Sequence, residues 1–428
     1  MKTNKEGLQM KKTIQVSICC LASILVGYLL LIIVYLFPSG RIFDHVKPYK
    51  GYIEKLVSPH LIDSYQISKL DTYAESIMLQ EAIISAEDAG LPASKAALMN
   101  YYYQNDPTPR DSITKIINGG DLPKVGYGRY WHGYLVTLKS LLCFLTYPQI
   151  QWVNMFTQLF LLMLIGVQLG KRRMEIYLFP AAVIFFWIQA PYLSLNLQFS
   201  TILFVLLFQL NIILALDKGS KTVNFYDFFF LFSGIAVAYL DFLTYPVVTL
   251  GIPLVFWLII HKDQNVWDTV KTVVRFSVFW VLGYSVMWAG KWCLDYLINS
   301  HEIVDDVIFQ IQTRLGVTEG LTAISPVLVF RTVLGRPTKT LPMIIYAGIA
   351  VYLVYPWFTT GFVITRNRSA SCIPYVLVAT YPFIWMSVMK NHCLEHNYFV
   401  YRILAVSWFA LISMIGVFLK DSENIREK

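Results

Sequence analysis

Apolar residues run along this chain in long unbroken blocks, without the two-residue alternation of a half-buried strand or the three-to-four-residue rhythm of a surface helix. The first block covers residues 13–37. Nine more follow at 150–170, 174–192, 196–216, 224–243, 246–261, 274–297, 341–361, 371–389 and 402–419. A bilayer core takes about 20 residues of helix, so the pattern predicts ten spans. The even number puts both termini on one side, and the basic residues choose it. Lys2, Lys5, Lys11, Lys12, Lys171-Arg172-Arg173, Lys218, Lys221, His261-Lys262, Lys271, Arg275, Arg366, Arg368 and Lys420 all fall on that side, which the positive-inside rule makes cytoplasmic. The fold expected is an all-α polytopic membrane protein of about ten transmembrane helices, a single membrane domain over 1–428. A large helical outer loop joins the first two spans, and both termini are cytoplasmic.

The outer connections at 38–149 and 298–340 break the apolar pattern. Within the first, YAESIMLQEAIISA (73–86) has helical spacing, GLPAS (90–94) ends it, and QNDPTPRDS (104–112) is a surface loop. The segment GYLVTLKSLLCFL (133–145) is short and carries Lys139. Counting it as a span would put Lys171-Arg172-Arg173 outside, so it is expected to lie at the outer surface as an amphipathic helix, the alternative being a re-entrant one. Pro180, Pro253, Pro356, Pro374 and Pro382 fall inside spans, where neighbouring helices satisfy the freed backbone groups.

Composition agrees with the pattern. The 428 residues are 56% hydrophobic and 14% charged, against about 25% charged in an ordinary globular chain, and mean hydropathy is +0.53. The net charge of +8 sits at the ends of apolar blocks, as topology signals do, so no nucleic-acid partner is expected. None of the six cysteines has CxxC spacing, which argues against thiolate metal sites and a disulfide framework. The first block follows lysines and reads as a retained anchor, since no small-residue cleavage site follows it. With no terminal KDEL or KKxx, the expected home is a bacterial plasma membrane.

The unusual polar residues gather on the outer side. Asp71 and Glu75 stand four apart, on one helix face if the helix begins near 71, where they would share a metal or a proton; equally, Asp71 caps the helix and Glu75 favours its first turn. Asp241, in AYLDFLTYP, is a carboxylate in an apolar setting that needs water or a partner. His132 stands in GRYWHG, and Lys291 near a span end, where lysines snorkel. NHCLEHNYFVYR (391–402) holds His392 and His396 at i and i+4, and Arg402. Zinc is disfavoured because no third ligand or HExxH accompanies the pair. The residues suit an anionic ligand, arginine and histidine both donating to phosphate; they suit equally an interfacial loop with Tyr398, Phe399 and Tyr401 as its aromatic belt.

The order of elements resembles membrane glycosyltransferases of the GT-C type, the polyprenyl-phosphate-sugar-dependent enzymes that include protein mannosyltransferases and aminoarabinose transferases. LDTYAES, YGRYWHGYLV, YLDFLTYPVVTLGIP and NHCLEHNYFVYR are similar to stretches of multi-span proteins from bacterial surface-polysaccharide contexts. The resemblance implies a general base or metal ligand at Asp71 with Glu75 as companion. It implies donor-phosphate binding by outer-face groups: His392, His396, Arg402 and Lys291, with Asp241 and His132 at the same level. A divalent metal, Mg or Mn, would sit on Asp71 and Glu75, although LDTYAES lacks the adjacent acidic pair of several family members. The implied partners are a polyprenyl-phosphate-linked sugar, a glycan or lipid acceptor, and the bilayer. Tyr127, Tyr130 and Trp131 would stack on a sugar or anchor the interface.

Transfer of a sugar from lipid phosphate to a hydroxyl needs a base for the acceptor and positive charge for the departing phosphate. The competing functions are a flippase or transporter of lipid-linked saccharide, and a polysaccharide polymerase or assembly partner. A transporter would place charge at mid-span and show repeated halves; here mid-span charge is scarce and no repeat is visible.

Overall fold

The computed structural model describes residues 2–51, 70–104, 108–217, 223–262, 264–299, 302–317, 324–336, 348, 351–352 and 369–418. These are almost wholly helical; among them the one strand pairing joins Tyr102–Tyr103 to Lys124–Val125. Six helices are long and apolar enough to cross a membrane: Met10–Tyr35, Tyr147–Lys171, Leu197–Leu216, Val223–Leu240, Val266–Asn299 and Asn397–Phe418, the last interrupted by a 3-10 turn at Tyr401–Leu404. Other predicted spans are shorter. Leu178–Ile188 and Val248–Ile260 stand for 174–192 and 246–261, and 371–389 divides at Thr380 into Ile373–Ala379 and Tyr381–Val388, each with a proline in its first turn. The block 341–361 lies almost entirely outside the described residues.

Two expected elements are corrected. The 73–86 helix is Thr72–Ala82 followed by a separate Ala86–Ala89, because Ser85 and Asp88 form a capping box that starts the second helix. The 133–145 segment is a helix, Tyr134–Leu142, but it is packed inside and not spread on a surface. Lys139 is fully buried: its amine donates to the Ile84 carbonyl at 2.6 Å and lies 4.4 Å from the Tyr35 ring centre. A carbonyl and a ring face meet the charge that the amphipathic reading assigned to water. Burial pushes this amine down to about 7.

One apolar cluster gathers Leu31, Tyr35, Val46, Leu79, Leu135 and Met287, so the first helix, the 38–149 segment and Val266–Asn299 share a core. A larger one holds Leu197–Leu216, Val248–Ile260 and the 397–413 region together. The Val223–Leu240 and Val266–Asn299 helices cross between them at backbone contact. A Cβ on Gly234 would lie 2.1 Å from the Trp280 carbonyl oxygen, and one on Gly283 2.1 Å from that of Leu231. Small residues at such crossings let apolar helices gain packing contacts that lipid cannot supply. At one end of this pair, buried Asp227 accepts from Arg275 through Nε at 2.9 Å and Nη2 at 2.7 Å, and from Lys12, which fixes the first helix to the crossing. The opposite end carries Asp71 and its neighbours.

Gly283→Ala and Gly234→Ala should therefore each cost about 1–3 kcal/mol, as overpacking does. Gly166, with nothing within 4 Å of its would-be Cβ, is the control. Thermal midpoints in detergent should fall for the first two and hold for Gly166→Ala; three equal midpoints would refute the close crossing.

Candidate functional site

The helix Thr72–Ala82 begins at Asp71, whose Oδ1 accepts the Ala74 N–H at 3.1 Å. That is the N-cap role, satisfying a donor the helix leaves free. Its Oδ2 accepts the Tyr398 hydroxyl at 2.6 Å. The carboxylate is 7% exposed and lines a cavity of about 660 Å³ together with Tyr127, Arg129, Arg314, His392 and His396. Capping and facing the cavity are thus combined in one residue.

Glu75 does not join it. Its carboxylate is fully buried and accepts from the Tyr147 hydroxyl, the Leu197 N–H at 3.2 Å and Asn196 Nδ2 at 3.4 Å. It therefore caps the Leu197–Leu216 helix from outside, and burial pushes its pKa up to about 8. Asp71 and Glu75 do not fit a shared divalent metal, because Glu75 is fully buried and does not line the cavity that Asp71 faces. Among the described residues no group of three or more His, Cys, Asp or Glu side chains is arranged to hold a metal ion.

The two histidines of NHCLEHNYFVYR do line the cavity, in a different role from the one predicted. Arg314, from the helix Glu302–Leu315, directs Nη1 at His396 Nε2 (2.8 Å), His392 Nδ1 (3.3 Å) and Glu395 Oε2 (3.4 Å). An arginine nitrogen only donates, so both facing histidine nitrogens are unprotonated acceptors. Burial, then the charge of the neighbours, holds His392 well below the usual histidine range. The pair thus aims an arginine instead of donating to an anion itself.

The remaining predicted residues are turned elsewhere. Asp241 closes its own turn, taking the Thr244 N–H at 2.8 Å and its hydroxyl at 2.5 Å, the local bonding that aspartate makes in loops. Lys291 does not snorkel: fully buried, it pairs with Asp295 at 2.9 Å and donates to the Leu98 carbonyl, tying Ala93–Met99 to the long helix. Arg402 is fully buried and does not line the cavity. Its Nε donates to the Ile188 carbonyl at 3.1 Å, and its guanidinium lies 4.5 Å from the Phe199 ring centre and 5.1 Å from that of Tyr401. Rings stand where a phosphate was expected, and Nη1 and Nη2 have no hydrogen-bond partner among the described residues. His132 stands behind the cavity wall.

Sequence reading passed over Arg129 and Arg314, and gave Tyr398 only a place in an aromatic belt, where it instead donates to Asp71. Arg129 was visible as the charge inside GRYWHG. Its guanidinium lies 4.5 Å from the Tyr127 ring centre and meets Asp306 at 3.2 Å. Arg129, Tyr130 and Arg314 also line a second cavity, of about 320 Å³, whose other walls include Tyr284, Trp288, Trp292, Val307 and Ile311. A polar chamber and an apolar one therefore adjoin at two arginines.

The raised value for Glu75 carries a sign. The native state holds its proton up to about 8, whereas the unfolded chain releases it near 4.5, so this contribution to stability is complete below about 4.5 and is lost as pH rises toward 8. Thermal midpoints of Glu75→Gln and the parent protein should converge or cross in the variant's favour between pH 5 and pH 8. Parallel curves would show that Glu75 is ionised in the fold.

Compared with protein-family models, curated proteins and solved structures, the chain finds no match.

Proposed function

We propose that this chain is a membrane glycosyltransferase that moves a sugar from a polyprenyl-phosphate donor to a glycan or lipid acceptor at the outer membrane face. The observation that carries the reading is the pair of adjoining cavities with Arg129 and Arg314 at their junction. An apolar chamber lined by Trp288 and Trp292 suits the first units of a prenyl chain, and a polar chamber walled by tyrosines suits a sugar ring. Between them two guanidiniums suit a phosphate, which arginine meets with paired donors.

In this reading Asp71 takes the proton of the acceptor hydroxyl. The freed oxygen bonds to the sugar's anomeric carbon as that carbon's bond to the phosphate oxygen breaks. The electron pair leaves with the prenyl phosphate, whose charge Arg129 and Arg314 stabilise. Both arginines can exchange their carboxylate partners for a ligand at low cost. Their partners Asp306 and Glu395 are 44% and 50% exposed at side-chain level, and such pairs are worth little. Tyr398 holds the base at the cavity, and no step requires Glu75 or a metal.

The test is restoration of a surface glycan in cells, backed by transfer in lipid nanodiscs. Asp71→Asn should lower kcat by at least about 10²-fold, the scale of general-base catalysis. Arg129→Ala and Arg314→Ala should each raise the KM for the lipid donor about 10–100-fold, the worth of a charge-assisted hydrogen bond. Full activity in well-expressed Asp71→Asn would sink the assignment. Binding and translocation of the lipid-linked sugar without transfer would make the protein a flippase instead.

A further inference from the structure

Behind the cavity wall the loop between Val125 and Tyr134 carries a feature that the proposed reaction does not use. His132 has φ +56, a left-handed backbone that a residue other than glycine adopts only when its surroundings over-determine it. Its side chain is wholly buried and does not itself line the cavity; it lies among the rings of Tyr127, Tyr130, Tyr134 and Phe242, the first two and the last of which do. Nε2 lies 2.8 Å from the Tyr127 carbonyl oxygen, a group that only accepts, so this nitrogen carries a proton. Nδ1 lies 3.0 Å from the Tyr134 hydroxyl and 3.1 Å from Glu81 Oε2. The Tyr134 hydroxyl spends its own proton on that same Glu81 oxygen, so what Nδ1 faces are acceptors, and it too must donate. Glu81 is fully buried, and a carboxylate so placed demands a partner. The other titratable groups nearby are Tyr35, which donates to Asn100, and Lys139, which donates to Ile84.

We infer that His132, protonated on both nitrogens and paired with Glu81, is a positioning residue that sets the wall bearing Arg129. The pair grips the Tyr127 carbonyl, and the Tyr127 ring supports the Arg129 guanidinium from 4.5 Å. The same stretch is pinned by Trp131 Nε1 on the Met287 carbonyl at 2.7 Å, Trp292 Nε1 on the Arg129 carbonyl at 3.1 Å, and Gly133 N–H on the Tyr239 carbonyl at 2.9 Å. At Gly133 a Cβ would lie 2.6 Å from that carbonyl, so the wall cannot shift outward there. Arg129 is thus clamped from both sides, with its head at the junction of the two cavities. The inference rests on the proposed role of Arg129 in meeting the donor phosphate.

The experiment uses the full chain in nanodiscs with two probes, farnesyl phosphate and farnesol, whose affinity ratio isolates the phosphate. The parent protein should prefer the phosphate, and Arg129→Ala should reduce that preference about 10–100-fold. His132→Asn and Glu81→Gln should each reduce it about tenfold, the double variant no further, and farnesol affinity should hold in all, which also reports that they fold. A full phosphate preference in His132→Asn overturns the inference. A second readout needs no ligand: ¹⁵N resonances of the His132 ring should show both nitrogens protonated in the parent and one proton lost in Glu81→Gln. A singly protonated ring in both proteins overturns the inference even if the variants misfold. If the parent shows no phosphate preference, the reading of Arg129 fails, and the ring spectrum alone decides whether the clamp stands.

Discussion

The hydrogen bond from the Tyr398 hydroxyl to Oδ2 of Asp71, 2.6 Å long, joins residues 327 positions apart and brings both walls of the cavity into register. It is one of three alike. The helix Thr72–Ala82 and its cap carry three buried carboxylates, each met by a tyrosine from a different part of the chain: Asp71 by Tyr398, Glu75 by Tyr147 and Glu81 by Tyr134. Because the three tyrosines belong to different helices, Asn397–Val400, Tyr147–Lys171 and Tyr134–Leu142, the three bonds together fix its position and its rotation. The site depends on this docking, since a rotation of the helix would turn Asp71 away from the arginines.

Tyrosine suits the task physically. Its ring packs among apolar neighbours while its hydroxyl donates, so a carboxylate is satisfied without a second charge being taken out of water. A lysine or arginine at those points would have added its own desolvation cost. The chain instead keeps Arg129 and Arg314 where their carboxylate partners remain half in solvent, and it buries Lys291 and Arg402 where a carboxylate, carbonyls and ring faces already wait. Fixed charges hold the frame, and exchangeable ones face the cavity.

This division also decides what was legible in the sequence. Long apolar blocks need only local composition to be read, so the six helices long and apolar enough to cross a membrane were visible, as was the capping position of Asp71. The type of residue at Asp241, His132, Lys291 and Arg402 was equally plain, but a polar group near an apolar stretch has two ways to be satisfied, by a ligand or by the fold. Nothing local tells them apart: Lys291 finds the Leu98 carbonyl 193 residues away, and Arg402 finds that of Ile188 at a separation of 214. The 133–145 helix misled for the same reason. Its lysine looked like the wet side of an amphipathic helix until Ile84 and Tyr35 supplied a buried alternative.

NHCLEHNYFVYR shows how such an ambiguity resolves. Spacing of i and i+4 put His392 and His396 on one helix face, which was correct and which fits donors to phosphate as well as it fits any other pair. Their partner came from Arg314, 82 residues upstream of His396, and an arginine can only donate, so the imidazoles became acceptors. A neutral imidazole pair leaves the guanidinium its full charge while limiting its direction. Two acidic partners would have held it as firmly but would have cancelled the charge that an incoming anion needs. The same logic explains why Glu395, the one acid in the motif, lies farthest from Nη1, at 3.4 Å, and half in solvent. The motif therefore sets the aim of a cation without quenching it, which is the property a site for a departing phosphate requires.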